Sequence, residues 1–172
     1  MLIHDLNDIK SKKYGEDFLN QLKLLKSNKV ISKIGISLYS PKDLRFVLKK
    51  FIPEIIQIPF NVFDQRLLKS SELKYIKKNR INLQVRSIFL QGMLLKSDKK
   101  IQKTLINNRL KAKIIKFRKW CNKKKISPVY ACINFLKDYK FINNVVVGFD
   151  NAQQLDEIIK VFKKTKKRYN YK

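Results

Sequence analysis

The chain has 172 residues, enough for one ordinary domain or part of a larger one, and its 44% hydrophobic content is sufficient to bury a core. No apolar run approaches the roughly 20 residues that span a bilayer. Met1-Leu-Ile-His-Asp turns acidic within five residues, so neither a membrane helix nor a secretory signal is expected, and a cytoplasmic location is. The net charge of +27 would ordinarily point to nucleic acid or an anionic membrane, yet 33 of the 40 basic residues are lysine and alanine occurs only three times. Lys, Ile and Asn share A/T-rich codons, so the charge reads as compositional drift at exposed positions. The lysine runs at 111–125 and 160–172 are then solvated faces, without specific nucleic-acid or membrane binding.

In chain order, Leu2-Ile3-His4 is the tail of a first strand. Phe18, Leu19, Leu22 and Leu25 recur at helical spacing, and the helix ends at Ser27-Asn28, where Asn28 is suited to a left-handed turn. A second strand covers 34–38. Ser40-Pro41 then opens a helix whose apolar face is Leu44, Val47, Leu48 and Phe51. Pro53 stops that helix before a third strand at 55–58. Leu73 and Ile76 mark the next helix, and a fourth strand follows at 81–86.

A loop over 87–100 leads to a basic helical stretch, 101–124, that carries Ile114, Ile115, Phe117 and Trp120. Ser127-Pro128 caps a helix reaching about Tyr139, and a fifth strand lies at 145–148. Asn151 caps the last helix, with its stripe of Leu155, Ile158, Ile159 and Phe162. Continuous apolar strands alternating with helices predict an α/β fold with five parallel strands in sequential order. Cys121 and Cys132 both fall in helical patterns and read as free buried thiols. With a single histidine, no metal-ligand cluster is expected.

Three runs carry a more specific signal: Val30-Ile-Ser-Lys-Ile-Gly-Ile-Ser37, Ile55-Ile-Gln-Ile-Pro-Phe-Asn-Val-Phe-Asp-Gln-Arg66 and Val145-Val-Val-Gly-Phe-Asp-Asn-Ala-Gln-Gln-Leu-Asp-Glu157. In this order and at these distances they resemble the C-terminal part of an aldo/keto reductase. The resemblance covers residues 2–165 and implies a partial (β/α)8 barrel whose five strands correspond to strands 4–8. Residues 1–165 are then the C-terminal part of the reductase domain, and 166–172 a disordered basic tail. The chain is expected to be the product of a split or truncated gene, or a fragment.

The family reduces carbonyls by hydride transfer from NADP(H), less often NAD(H), with a tetrad of Asp, Tyr, Lys and His. The resemblance places His4 at the tetrad histidine, while Asp, Tyr and Lys have no matching positions. Ser37 and Gln57 match the residues that grip the nicotinamide carboxamide; a glutamine amide both donates and accepts, as a carboxamide requires. The asparagine that usually follows the serine is Leu38 here.

Arg86 stands where a tyrosine usually stacks on the nicotinamide, and a planar guanidinium can stack in its place. Ser87 matches a pyrophosphate neighbour, and Asp150, Gln154 and Glu157 match contacts to the adenosine end. Asp150 suits a 2′-phosphate poorly, so NADP and NAD both stand as cofactors. Asp64-Gln65-Arg66 reads as a turn-stabilising pair.

Two other readings are a non-catalytic half-barrel that binds a nucleotide or a partner, and a basic nucleic-acid-binding protein. Retention of Ser37, Gln57, Ser87 and Gln154 favours the reductase reading, with a small carbonyl substrate in the complete enzyme. Five strands of an eight-strand barrel leave open sheet edges and, on this reading, an apolar concave face built from alternate strand residues. A complementary N-terminal half-barrel or a second copy of the chain is therefore the expected partner.

Overall fold

The computed structural model describes residues 1–164, so the tail expected at 166–172 lies outside the described residues. The chain divides into two compact units. The first takes in Met1–Arg86 and Phe141–Val146 and holds a five-stranded parallel sheet in sequential order. Its strands are β1 (Leu2–Ile3), β2 (Gly35–Ser37), β3 (Ile55–Pro59), β4 (Asn82–Arg86) and β5 (Asn144–Val145). The expected strands and their order are thus observed, although β5 starts one residue early and is only two residues long.

Both β3 and β4 alternate between half-buried and buried residues. One face carries Ile3, Ile36, Ile56, Leu83, Ile58 and Val85, each 2% exposed or less. The core is completed by Ile9 of α1 (Leu6–Lys10), Leu22 of α2 (Gly15–Ser27), Leu44 and Val47 of α3 (Leu44–Leu48), and Ile76 of α4 (Ser71–Lys78). Each such side chain contributes about 1.5–3 kcal/mol by leaving water. Helix α1 is absent from the sequence reading; its signal is Asp5, whose carboxylate accepts from the Asn7 N–H at 2.8 Å as an N-cap. The left-handed residue after α2 is Lys29 (φ 59°), one place beyond Asn28, whose φ is −78°.

The other face of the sheet does not fit the expected apolar surface. The strand register aligns Leu2, Gly35, Ile55 and Asn82 in one row and Ser37, Gln57, Gln84 and Asn144 in the next, with Pro59 and Arg86 beyond them. Apart from Leu2, Gly35, Ile55 and Pro59 these residues are polar. The expectation assumed that alternate residues on both faces are apolar, whereas here the amides bond to one another across the strands.

The second unit runs over Ser87–Lys140 and from Val147 onward. It contains α5 (Asp98–Gln102), α6 (Asn108–Lys123), α7 (Pro128–Leu136) and α8 (Ala152–Lys163). The stretch expected as one helix over 101–124 is therefore two. The side chain of Asn107 accepts from the Leu110 N–H at 2.8 Å and starts α6 afresh. Residues Val129 and Ala131–Leu136 are buried, and α7 packs against α8. Lys137, just past α7, donates from Nζ to the carbonyls of Val161, Phe162 and Lys164 at 2.8–2.9 Å, closing the end of α8. Cys121 and Cys132 are free and buried, as expected.

Candidate cofactor-binding site

In the first unit Ser37 and Arg86 end β2 and β4, His4 directly follows β1, and Gln57 lies at the middle of β3. Ser37 is 2% exposed. Its Oγ donates to Gln57 Oε1 at 3.3 Å, and Gln57 Nε2 donates to Gln84 Oε1 at 3.4 Å. These bonds are long, and each amide keeps a second N–H and a second lone pair for a further partner. Such a row fits a primary carboxamide. Ser37 and Gln57 are brought together as expected, while Gln84 was not singled out from sequence. Its signal was the alternation Asn82-Leu-Gln-Val-Arg86, in which every second residue is polar. His4 is exposed one residue beyond Ile3, whose partner in the sheet is Ile36, so it follows β1 as Ser37 follows Ile36.

Arg86 ends β4. Its guanidinium carbon lies 4.7 Å from the centroid of the Tyr39 ring, and Nη2 donates to the Leu38 carbonyl at 3.3 Å. Arg66 donates from Nε and Nη2 to the two carboxylate oxygens of Asp64, both at 2.8 Å, and from Nη2 to the Tyr39 carbonyl at 2.9 Å. The expected Asp64–Arg66 pair is thus formed, and its bond to Asp64 raises the pKa of Arg66 further. The same pair also holds the loop after β2. Tyr39 was missed from sequence because nothing local links it to Arg86 or Arg66.

In the second unit, Ser87 opens the unit with φ 57°, a conformation that non-glycine residues seldom adopt, and its carbonyl accepts from the Leu90 N–H at 2.9 Å. At the start of α8, the Asn151 side chain accepts from the Gln154 N–H at 2.9 Å, as expected for its cap. Gln154 Oε1 accepts from the Asp150 N–H at 2.9 Å, and its Nε2 faces Asp150 Oδ2 at 3.4 Å. Asp150 and Gln154 therefore hold the turn that leads into the helix.

Gln154 and Glu157 line a cavity of about 320 Å³ with Gly148, Arg118, Ser127 and Phe89. Its lining mixes apolar side chains such as Phe89 and Ile158 with one cation, Arg118, and one carboxylate, Glu157, a mixture that suits a ring with polar substituents. Arg118 is anchored there by Asp98 at 2.8 Å. Among the described residues, no group of three or more His, Cys, Asp and Glu could hold a metal ion. Nor is any described helix long and apolar enough to cross a membrane.

A five-stranded parallel sheet in sequential order, with helices between its strands, is the α/β arrangement of a partial (β/α)8 barrel. The profile of the aldo/keto reductase family matches residues 2–172, and the chain belongs to that family. No curated protein matches the chain. Among solved structures, an aldo-keto reductase from Bacillus halodurans in its holo form superposes with a TM-score of 0.66 at 15% identity, covering 97% of this chain and 56% of its own. The glycerol dehydrogenase of Gluconobacter oxydans superposes with a TM-score of 0.57 at 16% identity, covering 94% and 57%. At such identities the likeness concerns the fold. The chain spans little more than half the length of these structures.

Proposed function

We propose that the row Ser37, Gln57 and Gln84 of the first unit belongs to the cofactor-binding part of an NAD(P)H-dependent aldo/keto reductase that interconverts carbonyls and alcohols. The observation that carries this reading is the row Ser37–Gln57–Gln84, whose unspent amide donors and acceptors suit a nicotinamide carboxamide. Ser87 stands for the pyrophosphate, and Asp150, Gln154 and Glu157 for the adenosine end. The Asp150 carboxylate disfavours a 2′-phosphate, which keeps NAD beside NADP. When bound, the cofactor supplies the hydride. His4 is the member of the tetrad carried by this stretch, and it orients the carbonyl oxygen.

The general-acid tyrosine and its lysine and aspartate come from a complementary N-terminal half-barrel, while a second copy of the chain can cover the open sheet edges but not supply those three residues. The free thiols Cys121 and Cys132 fit a reducing, cytoplasmic setting. The missing proton donor also supports a second reading, a half-barrel that binds the nucleotide without catalysis. Fluorescence titration of the chain with NADPH and with NADH tests the proposal. Saturable binding is expected, weakened about tenfold by Gln57→Leu, which removes two amide contacts. Absence of saturable binding would overturn it.

A further inference from the structure

The pair formed by Arg86 and Tyr39 sits among groups that fix its geometry. Tyr39 is 63% exposed, yet its place is set from two sides. The Leu38 carbonyl receives Arg86 Nη2 at 3.3 Å, and the Tyr39 carbonyl receives Arg66 Nη2 at 2.9 Å. The charge of Arg66 is matched by the two oxygens of Asp64, so Arg66 serves as a strut. The guanidinium of Arg86 lies against the ring of Tyr39, 4.7 Å from its centroid. Arginine stays protonated at every accessible pH, so this ring is permanently backed by a cation.

We infer that Tyr39 backed by Arg86 is the surface on which the reactive ring of the cofactor rests, and that the pair selects the reduced cofactor over the oxidised one. This rests on the cofactor reading above. Dihydronicotinamide is uncharged, whereas oxidised nicotinamide carries a positive charge. A ring resting on Tyr39 lies roughly 8 Å from the guanidinium. At that separation, repulsion between unit charges weakens the oxidised form by about 2- to 30-fold, for effective dielectric constants between bulk water and a protein surface. The uncharged form feels no such penalty. The pair therefore biases the site toward taking up reductant and releasing the oxidised product.

The test is a parallel titration of the full chain with NADPH and with NADP⁺. The wild type should bind NADPH about tenfold more tightly. Arg86→Met should bring the two affinities close together, chiefly by tightening NADP⁺, while Arg86→Lys, which keeps the charge, should preserve most of the preference. Tyr39→Phe should leave the ratio unchanged, and Tyr39→Ala should weaken both forms. Equal affinities in the wild type, or an unchanged ratio in Arg86→Met with the thermal transition intact, would overturn this inference and leave the cofactor reading standing. Saturation by neither form, with NADH and NAD⁺ titrated as well, would overturn both.

Discussion

Gln57 sits in the middle of Ile-Ile-Gln-Ile-Pro, and its amide is the kind of residue that sequence alone can single out, because a polar group inside an apolar strand needs a partner. The structure supplies two, Ser37 and Gln84. Tyr39 could not be found in this way, since its partners Arg86 and Arg66 are brought to it only by the fold. Gly35 was not singled out from sequence either, and its reason lies in packing across the strands. A Cβ there would stand 2.5 Å from the Ile55 carbonyl oxygen and 2.7 Å from the Leu2 Cδ2. Gly35→Ala must push β2 away from β3 and should cost about 1–3 kcal/mol in urea denaturation; an unchanged midpoint would contradict this packing. The thiols give a second residue-level prediction. Burial raises the pKa of Cys121 to about 11 and pushes that of Cys132 up as well. Neither should react with a thiol reagent near neutral pH while the chain is folded, and both should react once it unfolds. Stoichiometric labelling of the native chain would refute that.

Helix α6 shows where element boundaries escape sequence reading. Apolar periodicity runs through 101–124, but Asn107 offers its carboxamide to a backbone N–H and begins a new helix, a local choice that periodicity does not register. Conversely, Asn151 was read correctly as the cap of α8 because a polar residue there directly precedes the apolar stripe. At the start of the sheet, Glu54 ties two elements. It accepts from Lys26 Nζ of α2 at 2.6 Å and from the Ile34 N–H at 3.1 Å. The Lys26 hydrogen bond holds the Glu54 carboxyl below its ordinary value of 4.5. A depressed carboxyl pKa stabilises the fold above the unfolded value and loses that contribution as pH falls through the folded one. Stability should therefore decline below about pH 4.5, and Glu54→Gln should flatten this part of the curve. The pair is partly exposed, so the effect should stay under about 1 kcal/mol. Identical acid limbs for the two proteins would count against the tie.

Over the whole molecule, the sequential parallel sheet was readable because short strands with apolar Ile, Leu and Val residues are separated by capped helices. The polar character of the second sheet face was not, since it depends on which residues the register sets side by side. That face mixes Leu2, Ile55 and Pro59 with the polar Ser37, Gln57, Gln84 and Arg86. The +27 charge is a molecular property with a measurable consequence. If it is compositional, binding to duplex DNA should be weak, without sequence preference, and lost steeply as salt rises. A sequence-specific complex surviving about 200 mM salt would contradict that. The proposed function gives this stretch a cofactor site and assigns the proton donor to a complementary segment. It is tested most directly by following NADPH absorbance with the purified chain and a simple aldehyde. Because a positioned general acid contributes about 10² to 10⁴-fold and placement of the reactants more, no measurable oxidation of NADPH is predicted. Turnover at the rate of a complete reductase would contradict the account, since a group within these 172 residues would then be donating the proton.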